Sequence, residues 1–179
     1  MKIWFRTTIC AMAVVSALAL SLSPASRAQT NDNDGCKLST LQGDYALRIS
    51  GQIFNPSGAV VSQRDGIVMQ HYDGAGGLTQ KDYVLSNGVA VPGPVDPTTM
   101  FHTDESGTYT VNSDCTGTAT VTFHASGVVL EVMFVLSNHG HTIHQIVSSL
   151  TVPNPAGGQL AMHVNIHADG EKLGLVGQD

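Results

Sequence analysis

Past residue 35 the chain alternates apolar and polar residues one for one, in runs of about ten separated by clusters of Gly, Pro, Asn, Asp and Ser. That period of two predicts strands. The first is Gly43–Ile53, with Tyr45, Leu47 and Ile49 on one face. The second falls within Val60–Tyr72, with a break at Arg64–Gly66, and the third is Leu78–Ser86. Five more follow: Gly107–Asn112, Thr116–Ala125, Val128–Ser137, His141–Val152 and Gln159–Ala168. The sixth is apolar on both faces except at Glu131, and Leu160, Met162, Val164 and Ile166 share one face of the eighth. No 3.6-residue period stands out beyond the first 28 residues. Open edges would invite aggregation, so the series predicts an all-β antiparallel barrel of about eight strands, with a β-sandwich as the alternative.

Turn chemistry supports the strand boundaries. Asn55-Pro-Ser-Gly58, Asp73-Gly-Ala-Gly-Gly77 and Pro153-Asn-Pro-Ala-Gly-Gly158 carry the residues that tight connections need. The glycines at 74–77 are not a phosphate loop, because neither a helical pattern nor a suitably placed lysine follows. Residues 87–97 hold three prolines and two glycines, so they read as the longest irregular segment, either a rim or lid or a solvated linker.

The first 28 residues change the expected location. Lys2 and Arg6 precede an apolar run from Ile9 to Leu22, and Ser26 and Ala28 supply a small-residue cleavage site. This is the pattern of a secretory signal peptide cut after Ala28. The expected organisation is signal peptide 1–28, polar leader 29–35 and one domain over 36–179, periplasmic or secreted. No membrane insertion is expected after cleavage, since no later stretch has the length of a span. Cys10 would leave with the signal. Cys36 and Cys115 would then form an even pair in an exported chain, which predicts a disulfide between the first strand's approach and the Asn112–Gly117 turn.

Beyond residue 28 the chain has all fourteen acidic residues against five basic ones. Such a surface repels phosphate backbones, so nucleic acid is a poor partner, and a small apolar or neutral molecule is the expected one. Candidate chemistry centres on Glu131. It looks like the one mid-strand carboxylate, with the other acidic residues after the leader placed in turns or near strand ends. Facing inward, it would serve as a general acid or base, with Arg48 or His144 as electrostatic partner, in a cofactor-free lyase, isomerase or cyclase; facing outward, it is a solvated carboxylate, the commoner place for Glu. Tyr45 and Phe134 are the candidate ligand-contacting aromatics. His139, His141, His163 and His167 could converge on zinc or copper if the last two strands pair, and otherwise form a surface set; no other cofactor is indicated. His71, His102 and His124 are too scattered to assign. Elbow-type Gly-x-Ser-x-Gly and HExxH motifs are absent from the sequence. The leading expectation is therefore an exported barrel that binds a small apolar ligand.

Three segments carry a resemblance: Cys36-Lys-Leu-Ser-Thr-Leu-Gln-Gly-Asp-Tyr45, Tyr72-Asp-Gly-Ala-Gly-Gly-Leu78 and Gly107-Thr-Tyr-Thr-Val-Asn-Ser-Asp-Cys-Thr-Gly-Thr-Ala119. Over residues 36–137 the chain resembles a group of small secreted bacterial β-barrel proteins of unassigned function. More loosely, it is similar to calycin and allene-oxide-cyclase-like or dirigent-like barrels. The resemblance implies a barrel that holds a small hydrophobic molecule, and it carries over no catalytic residue.

Overall fold

The computed structural model describes residues 35–174. The expected signal peptide, most of the expected leader and residues 175–179 lie outside the described residues. Nine strands are present: β1 (Gly43–Phe54), β2 (Val60–Tyr72), β3 (Gly77–Ser86), β4 (Val89–Ala90), β5 (His102–Val111), β6 (Thr116–Phe123), β7 (Val128–Ser137), β8 (Thr142–Pro153) and β9 (Gln159–Lys172). Eight of them form a closed antiparallel barrel in chain order, and two-residue β4 is appended to β3. Closure comes from two pairings: β2 with β3 and, joining the ends of the domain, β1 with β9 from Tyr45↔Lys172 to Phe54↔His163. The alternating pattern therefore resolves into a wall with one inner and one outer face, and the sandwich alternative falls. No helix among the described residues is long and apolar enough to cross a membrane.

The alternation sorts side chains as a period of two requires. Leu130, Val132, Phe134 and Leu136 of β7 point inward, while Glu131, Met133 and Val135 point outward. Arg64–Gly66 does not break β2, because all three residues keep their register against both β1 and β3. Gly117 lets two strands approach closely: a Cβ there would lie 2.2 Å from the Phe134 ring.

One end of the barrel is sealed. A 3-10 turn at Leu38–Leu41 places the fully buried Leu41 in the core. Tyr45, Tyr72 and Tyr109 meet edge to face, with centroids 5.5 and 5.0 Å apart; such pairs add about 0.5–1.5 kcal/mol each beyond their burial. The Tyr109 hydroxyl donates to the Leu38 carbonyl at 3.2 Å, and that of Tyr45 donates to the Gly140 carbonyl. The floor is thus tied to turns on two sides.

The Cys36–Cys115 disulfide holds the same end, with Cα atoms 4.9 Å apart and a sequence separation of 79. Cys115 occupies the left-handed position (φ 68°) of the β5–β6 turn, where its carbonyl accepts from Leu136 N at 2.9 Å. Closing a loop of that length restricts the unfolded chain by about 4 kcal/mol. Replacing both cysteines (Cys36→Ser with Cys115→Ser) is expected to lower unfolding stability by about that amount. Guanidinium titration of the oxidised wild type and the double variant checks it, and equal midpoints would contradict it.

Candidate functional site

The opposite end of the barrel opens into a cavity of about 660 Å³. Its walls are mostly aliphatic, with Leu47, Ile49, Val121, Leu130, Val147 and Ile166 among them. Residues 91–94, Val-Pro-Gly-Pro, line the cavity while Pro92–Pro94 stay exposed, so part of the irregular segment 87–97 is a rim of the cavity. Gly93 packs on the His102 ring, and a Cβ at that position would meet the ring at 3.2 Å.

One side of this apolar interior is polar. Leu78, Gln80, Asp82 and Val84 alternate inward along β3, so a carboxylate and an amide occupy positions that elsewhere hold aliphatics. Across from them, β5 contributes His102 and Glu105. These two are three residues apart, which in a regular strand would send them to opposite faces. Their register explains how both point inward. Gln80 pairs with Glu105 and Asp82 with His102, so β5 carries one extra residue between the two, a bulge that re-aims the chain. A second bulge, on β8, brings both Val147 and Leu150 inside.

Hydrogen bonds run through this cluster from the floor to the mouth. The Tyr72 hydroxyl donates to Gln70 Oε1 at 2.6 Å, and Gln145 Nε2 donates to the same oxygen at 2.8 Å. Gln70 Nε2 donates to Gln80 Oε1 at 2.8 Å, and Gln80 Nε2 reaches Asp82 Oδ2 at 3.4 Å. Asp82 Oδ1 lies 2.8 Å from His102 Nδ1, and His102 Nε2 lies 3.1 Å from the Val91 carbonyl. A carbonyl can only accept, so Nε2 carries a hydrogen. Nδ1 and Asp82 Oδ1 then share one further proton.

Glu105 stands outside the chain of bonds. It is 3% exposed, and neither carboxyl oxygen has a hydrogen-bond partner among the described residues. Burial first, then the neighbouring Asp82 carboxylate, pushes its pKa up to about 8, against a smaller opposing pull from the nearby Gln80 amide, which lies short of a well-formed hydrogen bond. Burial also raises Asp82, against the opposing pull of His102. The half-buried Arg64 guanidinium, whose Nε is likewise unpartnered among the described residues, is lowered by burial and partly restored by Asp82. At neutral pH Glu105 is therefore held mainly as the acid, a hydrogen-bond donor aimed into an apolar chamber. The cluster can donate to a ligand carbonyl, accept from a hydroxyl, or hold a cation.

The residues expected from sequence to carry chemistry lie elsewhere. Glu131 is on the outer face of β7, where Oε2 accepts from the Thr120 hydroxyl at 2.9 Å. Arg48 is exposed on β1, and His144 is exposed on β8 with Nδ1 2.7 Å from Asp169 Oδ1. These three do not share an interior site: strand parity puts each of them on the solvent side, so the inward placement of Glu131 on which the catalytic expectation depended is corrected. Asp82 also corrects the premise behind Glu131, being itself a mid-strand carboxylate. Tyr45 and Phe134 are buried inside the barrel, but they pack in its sealed half and are not among the cavity-lining residues. His139, His141, His163 and His167 are all exposed. They do not converge: among the described residues, Asp82, His102 and Glu105 are the one group of three or more His, Cys, Asp or Glu whose donor atoms come within 4.8 Å of one another.

The in-phase spacing of Leu78, Gln80, Asp82 and Val84 was the signal for Asp82. The bulge removed the corresponding signal for His102 and Glu105, and the strand that carries them begins at His102 instead of the expected Gly107. Comparison with known proteins finds no family model that matches the chain and no curated protein that matches it.

The buried acid makes stability depend on pH with a definite sign. In the folded state Glu105 binds its proton up to about pH 8, while its ordinary value is 4.5. Between those values the folded chain holds more protons than the unfolded one, so stability is full below the lower value and falls as pH rises towards the upper. Asp82 acts in the same direction. Urea unfolding in EDTA from pH 5 to 8 is expected to show wild-type stability declining, with a shallower slope and a more stable protein at pH 8 for Glu105→Gln. Parallel slopes for the two proteins would contradict the assignment.

Proposed function

We propose that this chain is an exported binding protein for a small, mostly apolar molecule that carries at least one hydrogen-bonding group. The observation that supports this best is the 660 Å³ chamber, aliphatic on most sides and open at one end, with a polar cluster on one wall. Pockets of about 300–1,000 Å³ with a few convergent polar groups are the common form of small-molecule sites. The aliphatic wall gains from contact with a ligand skeleton, and the acid form of Glu105 would set orientation by donating to a ligand oxygen. The disulfide supports an oxidising compartment such as the periplasm or the extracellular space. The resemblance to small secreted barrels points the same way.

A neutral environment-sensitive dye, N-phenyl-1-naphthylamine, tests the chamber directly. The wild type is expected to bind one dye per chain with a rise in fluorescence. Ile49→Trp and Leu130→Trp, which fill the chamber from two different strands, are expected to weaken binding by about tenfold or more while leaving the far-ultraviolet circular dichroism unchanged. Absence of dye binding, or affinity unchanged in both folded variants, would overturn the reading.

A further inference from the structure

We propose that Asp82, His102 and Glu105 form a site for one divalent transition-metal ion, with zinc the ion suited to the donor set, opening on the barrel cavity. One imidazole nitrogen and two carboxylate oxygens, one from each residue, come within 4.8 Å of one another. Zinc takes such donors at about 2.0–2.2 Å. A cluster of that spread closes around an ion with small side-chain rotations, and Asp82 Oδ1 and His102 Nδ1 are already 2.8 Å apart.

The partners of the three groups suit this role. The hydrogen bond from His102 Nε2 to the Val91 carbonyl fixes the ring and turns Nδ1 to Asp82, where an ion would take the place of the proton that Nδ1 and Oδ1 share and release it to solvent. Metal-ligating histidines are commonly oriented this way through their other nitrogen. Gln80 Nε2 reaches Asp82 Oδ2, so Oδ1, now engaged with His102 Nδ1, is the oxygen that turns to an ion. Glu105 supplies the second, independent observation. Its carboxyl group is 3% exposed and points into the cluster with neither oxygen partnered among the described residues. A proton neutralises it but still leaves it without an acceptor or donor from the chain. A divalent cation would instead hold both carboxylates ionised and coordinated, and the ligand set would balance its charge.

Two features define the site further. Three protein ligands leave at least one coordination position, which here opens to the cavity and could take water or a ligand oxygen. The Arg64 guanidinium, close enough to act on Asp82, opposes cation entry. Placement on paired β3 and β5, with the bulge that turns both His102 and Glu105 inward, makes the constellation part of the barrel wall. The exposed histidines share none of these properties. The inference does not depend on an apolar ligand, since the donor set would bind the ion in its absence.

The test is zinc titration by calorimetry of full-length, tag-free protein stripped with EDTA and then desalted, followed by cobalt titration in the visible range. One zinc per chain is expected, together with ligand-field bands from a bound cobalt ion. Glu105→Gln, which keeps shape and neutrality, is expected to weaken zinc binding by at least about tenfold and to alter the cobalt bands. Asp82→Asn, which removes a different ligand, is expected to do the same. An outer-face variant, His141→Ala with His163→Ala, should leave both signals unchanged. No stoichiometric zinc binding, or binding that survives Glu105→Gln and Asp82→Asn but is lost in the outer-face variant, overturns the proposal. Dye binding by the metal-free protein is measured separately, so either reading can fail without the other.

Discussion

The hydrogen-bonded seam between β1 and β9 joins the two ends of the domain, and the interior exists because of it. An eight-stranded sheet left open along that seam would present unpaired backbone groups on both edges and would let water reach the inner face. Once the seam is made, period-two alternation assigns every residue of each strand to wall interior or solvent. The sealed end adds a second constraint. Leu41, three tyrosines and the disulfide occupy one half of the interior, so the space left over collects at the other end. Cavity and floor are thus complementary results of one packing arrangement: large aromatic side chains fill the lower barrel, and aliphatic residues line an upper barrel too wide for them to fill.

Within that upper chamber the polar cluster is expensive by its nature. Burying an amide or hydroxyl without a partner costs about 1–3 kcal/mol in proteins, and a charge costs more. Most of the cluster avoids the penalty through mutual hydrogen bonding: Tyr72, Gln70, Gln145 and Gln80 satisfy one another in sequence. Glu105 and Arg64 do not have that relief, and they are the groups whose oxygens and Nε lack partners among the described residues. Glu105 responds by holding its proton, which removes the charge but not the unmet hydrogen bonds. A wall that needed only to pack would have an aliphatic residue there, as it does at Val121 and Val132. The unmet polar capacity therefore points to something that enters the chamber.

Much of the wall could be read from sequence because the signal was local. Regular alternation marks β1, β3, β6, β8 and β9, an apolar run bounded by turn residues marks β7, and the turn residues at 55–58, 73–77 and 153–158 separate strands where expected. Cys36 and Cys115 could be paired from the expectation of export alone. What could not be read was the phase of each strand relative to the barrel axis. The side that Glu131 takes stayed open between interior and solvent, because β7 presents apolar residues on both faces and neighbours carry no information about which face is which. His102 and Glu105 were hidden for a different reason. Their strand segment has a polar inner face and an irregular spacing, so neither hydrophobicity nor period revealed it, and the β3 register that exposes the bulge is a long-range property.

The same difference in location decides what each set of residues can do. Glu131 and the outer histidines sit in water, where two unit charges 4 Å apart interact by about 1 kcal/mol and salt screens them further. A carboxylate there gains little by binding a cation. Asp82, His102 and Glu105 sit behind a hydrogen-bonded wall, where the effective dielectric is several-fold lower and the same interactions grow in proportion. That environment lifts Glu105 to about 8, and it would also strengthen binding to a cation or a polar ligand group. A ligand entering past Val91–Pro94 would exclude more water and strengthen those interactions again. Chamber and cluster are therefore coupled electrostatically, because filling one changes the energetics of the other.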